Sequence, residues 1–168
     1  METTVNEAAI AGRARSTTQL ATDYLMTLHA PLHAPYEVDP NFFIFLAKEN
    51  GWVRGPKING TILQPTGDWL RVMPGGSRRL DVRLILKTDD DALIYIGFNG
   101  VLSINQKNSE RLEKGATLTS TDIYFVIAPT FETSHPRYAW LNHIQGIGKV
   151  VALKAGEGFV TYDIFAIR

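Results

Sequence analysis

Asp81 and Arg83 stand two residues apart in the run RRLDVRLILKT. In an extended segment that spacing puts a carboxylate and a guanidinium on one face, shared with Ile85 and Lys87, while Leu80, Val82, Leu84 and Leu86 take the other. The chemistry such a pair can do depends on which face is enclosed. Turned into an interior, the two charges must be matched by each other or by a ligand, and the carboxyl pKa shifts. Turned to water, they form an exposed ion pair worth about 0 to 1 kcal/mol. Periodicity alone leaves both orientations open.

Two further groups of residues combine polar chemistry with aromatic surface. Asp68-Trp69 follows Gly67 at a strand start, where a carboxylate can receive a polar group while an indole stacks on a ligand. The plainer alternative is a turn aspartate beside a core tryptophan. Arg137, Tyr138, Trp140 and Asn142 offer a cation, a phenol, an indole and an amide within one short stretch. That mixture suits an aromatic or carbonyl-bearing ligand, and equally an aromatic plug closing one end of a domain with Arg137 anchoring a loop.

Other motifs carry less. His29 and His33 have the i, i+4 spacing of a zinc helix, but Pro31 lies between them and no HExxH glutamate is present, so no metal site is expected. His135 and His143 flank the aromatic stretch as candidate general acids or bases. Asp89 to Asp91 lack the spacing of a calcium loop and read as a hairpin turn. The fragment GIGK (146–149) is not followed by the Ser or Thr of a phosphate loop, and neither GxSxG nor GxGxxG occurs. Catalysis without a cofactor is the expectation.

The elements that must position these residues are short strands. Tyr24 to His29, Lys57 to Gln64, Trp69 to Met73, Leu80 to Thr88, Ala92 to Phe98, Asp122 to Ala128, His143 to Leu153 and Phe159 to Ile167 read as strands. Phe42 to Leu46 (FFIFL) is ambiguous between strand and helix. Pro65 and Gly67 are read as ending one strand, Pro74-Gly75-Gly76 and Asp89-Asp90-Asp91 as hairpin links, and Asn99-Gly100 as a closing turn. Pro136 to His143 has helical spacing behind a proline, and 106–121 is a polar loop or helical turn. The count predicts an all-β domain: a closed antiparallel barrel of about eight strands, with a two-sheet sandwich as the alternative.

The chain has 168 residues, 45% hydrophobic and 20% charged, with zero formal net charge and no cysteine. That profile fits one globular domain over 19–168, preceded by a flexible tail over 1–18. Thiolate metal sites and cysteine nucleophiles are excluded by composition. Basic residues are scattered and balanced by acids, so nucleic acid is not an expected partner. No stretch has the roughly 18 apolar residues of a membrane span and no signal peptide is evident, which predicts a cytoplasmic protein. The FFIFL cluster and the first strand supply more apolar surface than one small barrel needs, which points to a homodimer as an expectation.

The runs GDWLRV, LDVRLILKTDDDALIYI with its following FNG, and FETSHPRYAWLN together resemble the DUF3237 family, also called UPF0311. The resemblance spans Tyr24 to Ile167. It implies a lipocalin-like or calycin-like barrel with a central cavity, and it favours the lumen orientation of Asp81 and Arg83. Positions matching the recurrent motifs include Gly60, Asp68, Trp69, Asp81, Arg83, Thr88, Asp89, Tyr95, Asn99, Gly100, Arg137, Tyr138, Trp140 and Asn142. Where the family commonly has a glycine after the paired aspartates and an arginine near the Asn-Gly segment, this chain has Asp91 and the apolar Val101 and Leu102.

The resulting expectation is an acid/base cyclase, isomerase or lyase acting on a small, mostly apolar, carbonyl-bearing or phenolic metabolite. Asp81 would move the proton, Arg83 and Arg137 would stabilise oxyanion character, and Tyr95 or Tyr138 would relay. Asp68, Trp69, Asn99, Trp140 and Asn142 would bind the ligand. The alternative is a lipocalin-like carrier without chemistry.

Overall fold

The computed structural model describes Gly12 and residues 18–168. Apart from Gly12 and Thr18, the expected N-terminal tail lies outside the described residues.

Among the described residues, eleven strands form a single antiparallel sheet that closes on itself. They are β1 (Thr22–Pro31), β2 (Tyr36–Asp39), β3 (Phe42–Leu46), β4 (Trp52–Arg54), β5 (Gly60–Val72), β6 (Arg78–Thr88), β7 (Leu93–Ser103), β8 (Thr117–Thr119), β9 (Tyr124–Glu132), β10 (Gly146–Lys154) and β11 (Phe159–Ile167). The ring runs β1, β11, β10, β9, β7, β6, β5, β4 and back to β1, eight strands in all, as the strand count predicts. Pairing of β5 with β6 closes the ring, so a two-sheet sandwich does not describe the molecule. The β2–β3 hairpin extends the wall, with β3 pairing along β5 from Gly67 to Arg71. β8 pairs only with the end of β10.

Side chains alternate across this wall because the strand period is two. On β6, Leu80, Val82, Leu84 and Leu86 are buried while Arg79, Asp81, Arg83 and Lys87 are exposed. β7 repeats the pattern with Ile94, Ile96, Phe98 and Leu102 inward. Leu86, Ile94 and Ile96 fill one half of the barrel with Ile58, Phe131, Tyr138 and Leu141. That half is solid; the other is hollow.

Two boundaries depart from the sequence expectation. Pro65 and Gly67 do not end a strand: β5 runs unbroken from Gly60 to Val72. Its partners change from Leu63 opposite Ile85 to Gly67 opposite Arg83, so β5 advances four residues while β6 retreats two. A bulge of two residues absorbs the proline, which has no N–H to give to a ladder. Asn99-Gly100 is not a turn either, because Asn99 pairs with Asp81 on one side and Ala128 on the other. Gly100 serves close packing instead: a Cβ there would lie 2.9 Å from Ile127 Cγ2. FFIFL resolves as strand, and Phe43 and Phe45 face the hollow.

Among the described residues, two short helices stand at the ends of the barrel. Helix α1 (Gln106–Glu113) is capped by the Asn105 side chain, which accepts from the Asn108 N–H. Its Arg111 and Asn108 are tied to Asp122 ahead of β9. A 3-10 helix (Pro136–His143) plugs the solid end, burying Tyr138 and Leu141.

Candidate active site

The hollow half is a cavity of about 290 Å³, large enough for one small organic molecule. Its wall is built by inward residues of eight strands: Leu28 and Ala30 from β1, Phe43 and Phe45 from β3, Thr66, Asp68 and Leu70 from β5, Leu80, Val82 and Leu84 from β6, Phe98 and Leu102 from β7, Phe125 from β9, Leu153 from β10, and Val160 and Tyr162 from β11. Leu112 of α1 and the turn between β10 and β11 form the mouth. Nearly all of that wall is hydrocarbon.

Asp68 is the exception in the middle of it. Thr66, Asp68, Leu70 and Val72 share the inward face of β5 beyond the bulge, so strand parity carries the carboxylate into the lumen. One oxygen accepts the Asp81 backbone N–H at 3.0 Å. Burial among apolar side chains outweighs that bond and pushes the carboxyl pKa up from 3.8 to about 7, with the nearby negative Asp81 adding to the rise. An interior carboxyl that shares its proton evenly near neutral pH is placed to accept or donate one.

Tyr162 faces the same space from β11. Its ring sits edge-on to Phe125 at 5.2 Å and to Phe98 at 5.9 Å, which fixes the phenol's direction. Burial, then the Asp68 carboxylate, hold its pKa well above the usual phenol value. The O–H therefore remains a proton-bearing donor whenever Asp68 is ionised. Thr66, also lining the cavity, is spent internally, donating to the Leu63 carbonyl at 2.8 Å.

The residues expected to carry the chemistry are dispersed. Asp81 and Arg83 lie on the outer face, 3.9 Å apart, with side chains 54% and 65% exposed. The lumen orientation expected for them is therefore corrected: the four aliphatic residues that alternate with them fill the interior, leaving the charged face to water. Trp69 and Asn99 are also outside, and with Asp81 and Arg83 they line a shallow external groove in which the Arg83 guanidinium sits 5.6 Å from the Trp69 ring centre. Tyr95 is exposed on the outer face of β7.

The 136–143 stretch takes the plug role. Tyr138 donates to Asp90 Oδ1 at 2.7 Å, and Arg137 pairs with Asp90 Oδ2 at 2.9 Å. Those contacts and the Thr88 hydroxyl hold the Asp90 carboxyl down at about 2. Asn142 staples the backbone of Thr133, accepting its N–H and donating to its carbonyl. Trp140 packs against the core under the Lys57 ammonium. None of these four lines the cavity.

Of the ten expected site residues, only Asp68 faces the hollow. Tyr162 carried a usable signal: Val160, Tyr162 and Ile164 alternate in the last strand. His29, far from a metal role, stacks on Trp52 at 5.2 Å and bonds Thr161 through Nδ1. Among the described residues no helix is long and apolar enough to cross a membrane.

Comparison with known proteins gives the same architecture. A UPF0311 protein of Clostridium acetobutylicum is 36% identical over 96 residues, 56% of this chain and 61% of that one. A UPF0311 protein of Rhodopseudomonas palustris is 31% identical over 98 residues, covering 58% and 64%. The matched region thus spans about three fifths of these relatives' length. A crystal structure of a conserved Rhodopseudomonas palustris protein of unknown function superposes with a TM-score of 0.82 at 25% identity, over 91% of this chain and all of the other. A β-barrel-like protein of Acinetobacter baumannii gives 0.74 at 28%, over 91% and 99%. A crystal structure described as an enzyme from Penicillium herquei gives 0.60 at 18%, over 93% and 100%, a likeness of fold alone. The family model for proteins of unknown function designated DUF3237 matches residues 20–167, and the chain belongs to that family.

Proposed function

We propose that the barrel is an acid/base catalyst acting on a small, largely apolar, carbonyl-bearing or phenolic molecule held in the lumen. Asp68 moves the proton and the Tyr162 hydroxyl donates to the oxygen on which negative charge develops. The observation that carries the proposal is the Asp68 carboxyl, raised by burial to a pKa of about 7, in the middle of a wall that is mostly hydrocarbon. Before reaction Asp68 is ionised and abstracts a proton from carbon or from a hydroxyl. The resulting enolate or phenolate is stabilised by the Tyr162 O–H, and the proton returns from Asp68 to a different atom. Isomerisation, elimination and ring closure all fit that sequence. A fold shared with a fungal protein described as an enzyme supports the reading only at the level of architecture.

The hydrocarbon wall also favours a second reading, a carrier in which Asp68 merely orients its cargo. Base-promoted ring opening of 5-nitrobenzisoxazole separates the two. A base takes the C–H proton, the N–O bond breaks, and a coloured cyanophenolate forms, so the assay reads proton transfer without knowledge of the natural substrate. Catalyst behaviour predicts turnover that rises through pH 7 and falls by about 10² to 10⁴ in Asp68→Asn, while Asp81→Asn retains it. Turnover equal in wild type and Asp68→Asn would leave only the carrier.

A further inference from the structure

The inward face of β6 carries one charged residue. Arg78 has the same parity as Leu80, Val82 and Leu84, and it lines the cavity at the mouth. Among the described residues its guanidinium has no hydrogen bond and no ion pair within 4.0 Å, although Glu113 at the end of α1 lies close enough to act on it electrostatically. Lys154 reaches the same rim from β10. Among the described residues no buried polar side-chain atom lacks a partner, so the Arg78 donors remain accessible to something entering the barrel. Its outward neighbour Arg79 does not line this cavity but the external groove.

The register sets the spacing of this cation from the acid/base group. Asp68 is opposite Val82, and Arg78 lies four positions before Val82 in the same strand. At about 3.3 Å per residue the interval is roughly 13 Å along the wall, shortened by whatever the arginine side chain reaches inward. Leu80 and Val82 line the interval. A molecule spanning it meets a cation, then hydrocarbon, then a carboxyl that shares a proton.

We propose that Arg78 forms an anion-binding subsite at the mouth, so that the substrate is an elongated amphiphile whose carboxylate, or comparable anion, rests on Arg78 while its reactive end reaches Asp68. This rests on the lumen being the reaction site and adds the substrate class. A planar guanidinium with free donors matches a carboxylate in two-point geometry. The low-dielectric wall strengthens the attraction relative to one in open water. Glu113 tempers the site without closing it.

Two fluorescent compounds test the idea: 8-anilinonaphthalene-1-sulfonate and N-phenyl-1-naphthylamine, which share an aromatic body and differ in the sulfonate. Titration of the intact protein should show the sulfonate compound bound in the cavity, with Leu84→Trp, which fills the lumen, abolishing binding of both. Arg78→Gln should weaken the anionic compound about tenfold and leave the neutral one within about twofold. Glu113→Gln, which removes the tempering carboxylate, should strengthen the anionic compound alone and serves if Arg78→Gln is poorly folded. Equal effects of these variants on both compounds, no effect on either, or failure of both compounds to bind would overturn the proposal. Because 5-nitrobenzisoxazole is uncharged, its turnover tests the acid/base reading without the subsite, and the two proposals can fail separately.

Discussion

At the scale of single residues, the cost of keeping Asp68 inside makes the fold sensitive to pH in an unusual direction. Its folded-state pKa lies above the unfolded value, so the native state holds the proton more tightly. The stability this contributes is fully present below about pH 4 and is lost as pH rises through about 7. The gap between 3.8 and about 7 sets a ceiling of roughly 4 kcal/mol, reduced where cavity water reaches the carboxyl. Asp68→Asn keeps an acceptor for the Asp81 N–H and carries no charge. Urea denaturation should therefore find it more stable than wild type at pH 8, by up to a few kcal/mol, and nearly equal at pH 4.5. A mutant less stable at pH 8 would mean that the ionised carboxylate is welcome where it sits. Asp90 works in the opposite sense. Its depressed pKa contributes stability that is present above about pH 4 and fades as pH falls toward 2.

At the scale of elements, ring closure depends on how closely β5 can approach β6. A Cβ on Gly60 would lie 2.3 Å from the Lys87 carbonyl oxygen and 2.8 Å from Thr88 Cα, both backbone atoms. Gly60→Ala should destabilise the barrel by about 2 kcal/mol or more, seen as a lowered denaturation midpoint, because the strand pair must separate to admit a methyl group. An unchanged midpoint would show that closure does not depend on this contact. The same element marks where sequence reasoning succeeded and failed. Period-2 alternation in 80–88 correctly assigns which residues share a face, yet alternation has no sign. With four large aliphatic residues on one side, the interior claimed that side, and Asp81 and Arg83 went to water. Asp68 was legible as a strand carboxylate but not as a lumen group, because ending a strand at Pro65 and Gly67 hides that Ile62, Thr66, Asp68 and Leu70 are all inward. A bulge is set by how two distant strands register, which local sequence does not specify. The 136–143 stretch was legible as a helical turn, but its aromatic and charged residues serve a plug held by Asp90.

At the scale of the whole molecule, the barrel divides its interior into a filled half and an empty half. Strand number and closure follow from the spacing of short strands, and composition suits a single core. Where the hollow lies depends on the sizes of inward residues brought together from the whole chain, and on α1 standing at one end while the 3-10 helix seals the other. The empty half matters because it sets the Asp68 carboxyl among side chains that are mostly hydrocarbon. The most direct measurement is a pH titration of the aspartate side-chain carboxyl carbons by NMR, with Asp68→Asn identifying the resonance. A midpoint near 7 for Asp68 is the expected result, whereas a midpoint near 4 would contradict the account and remove the basis for proton transfer in the lumen.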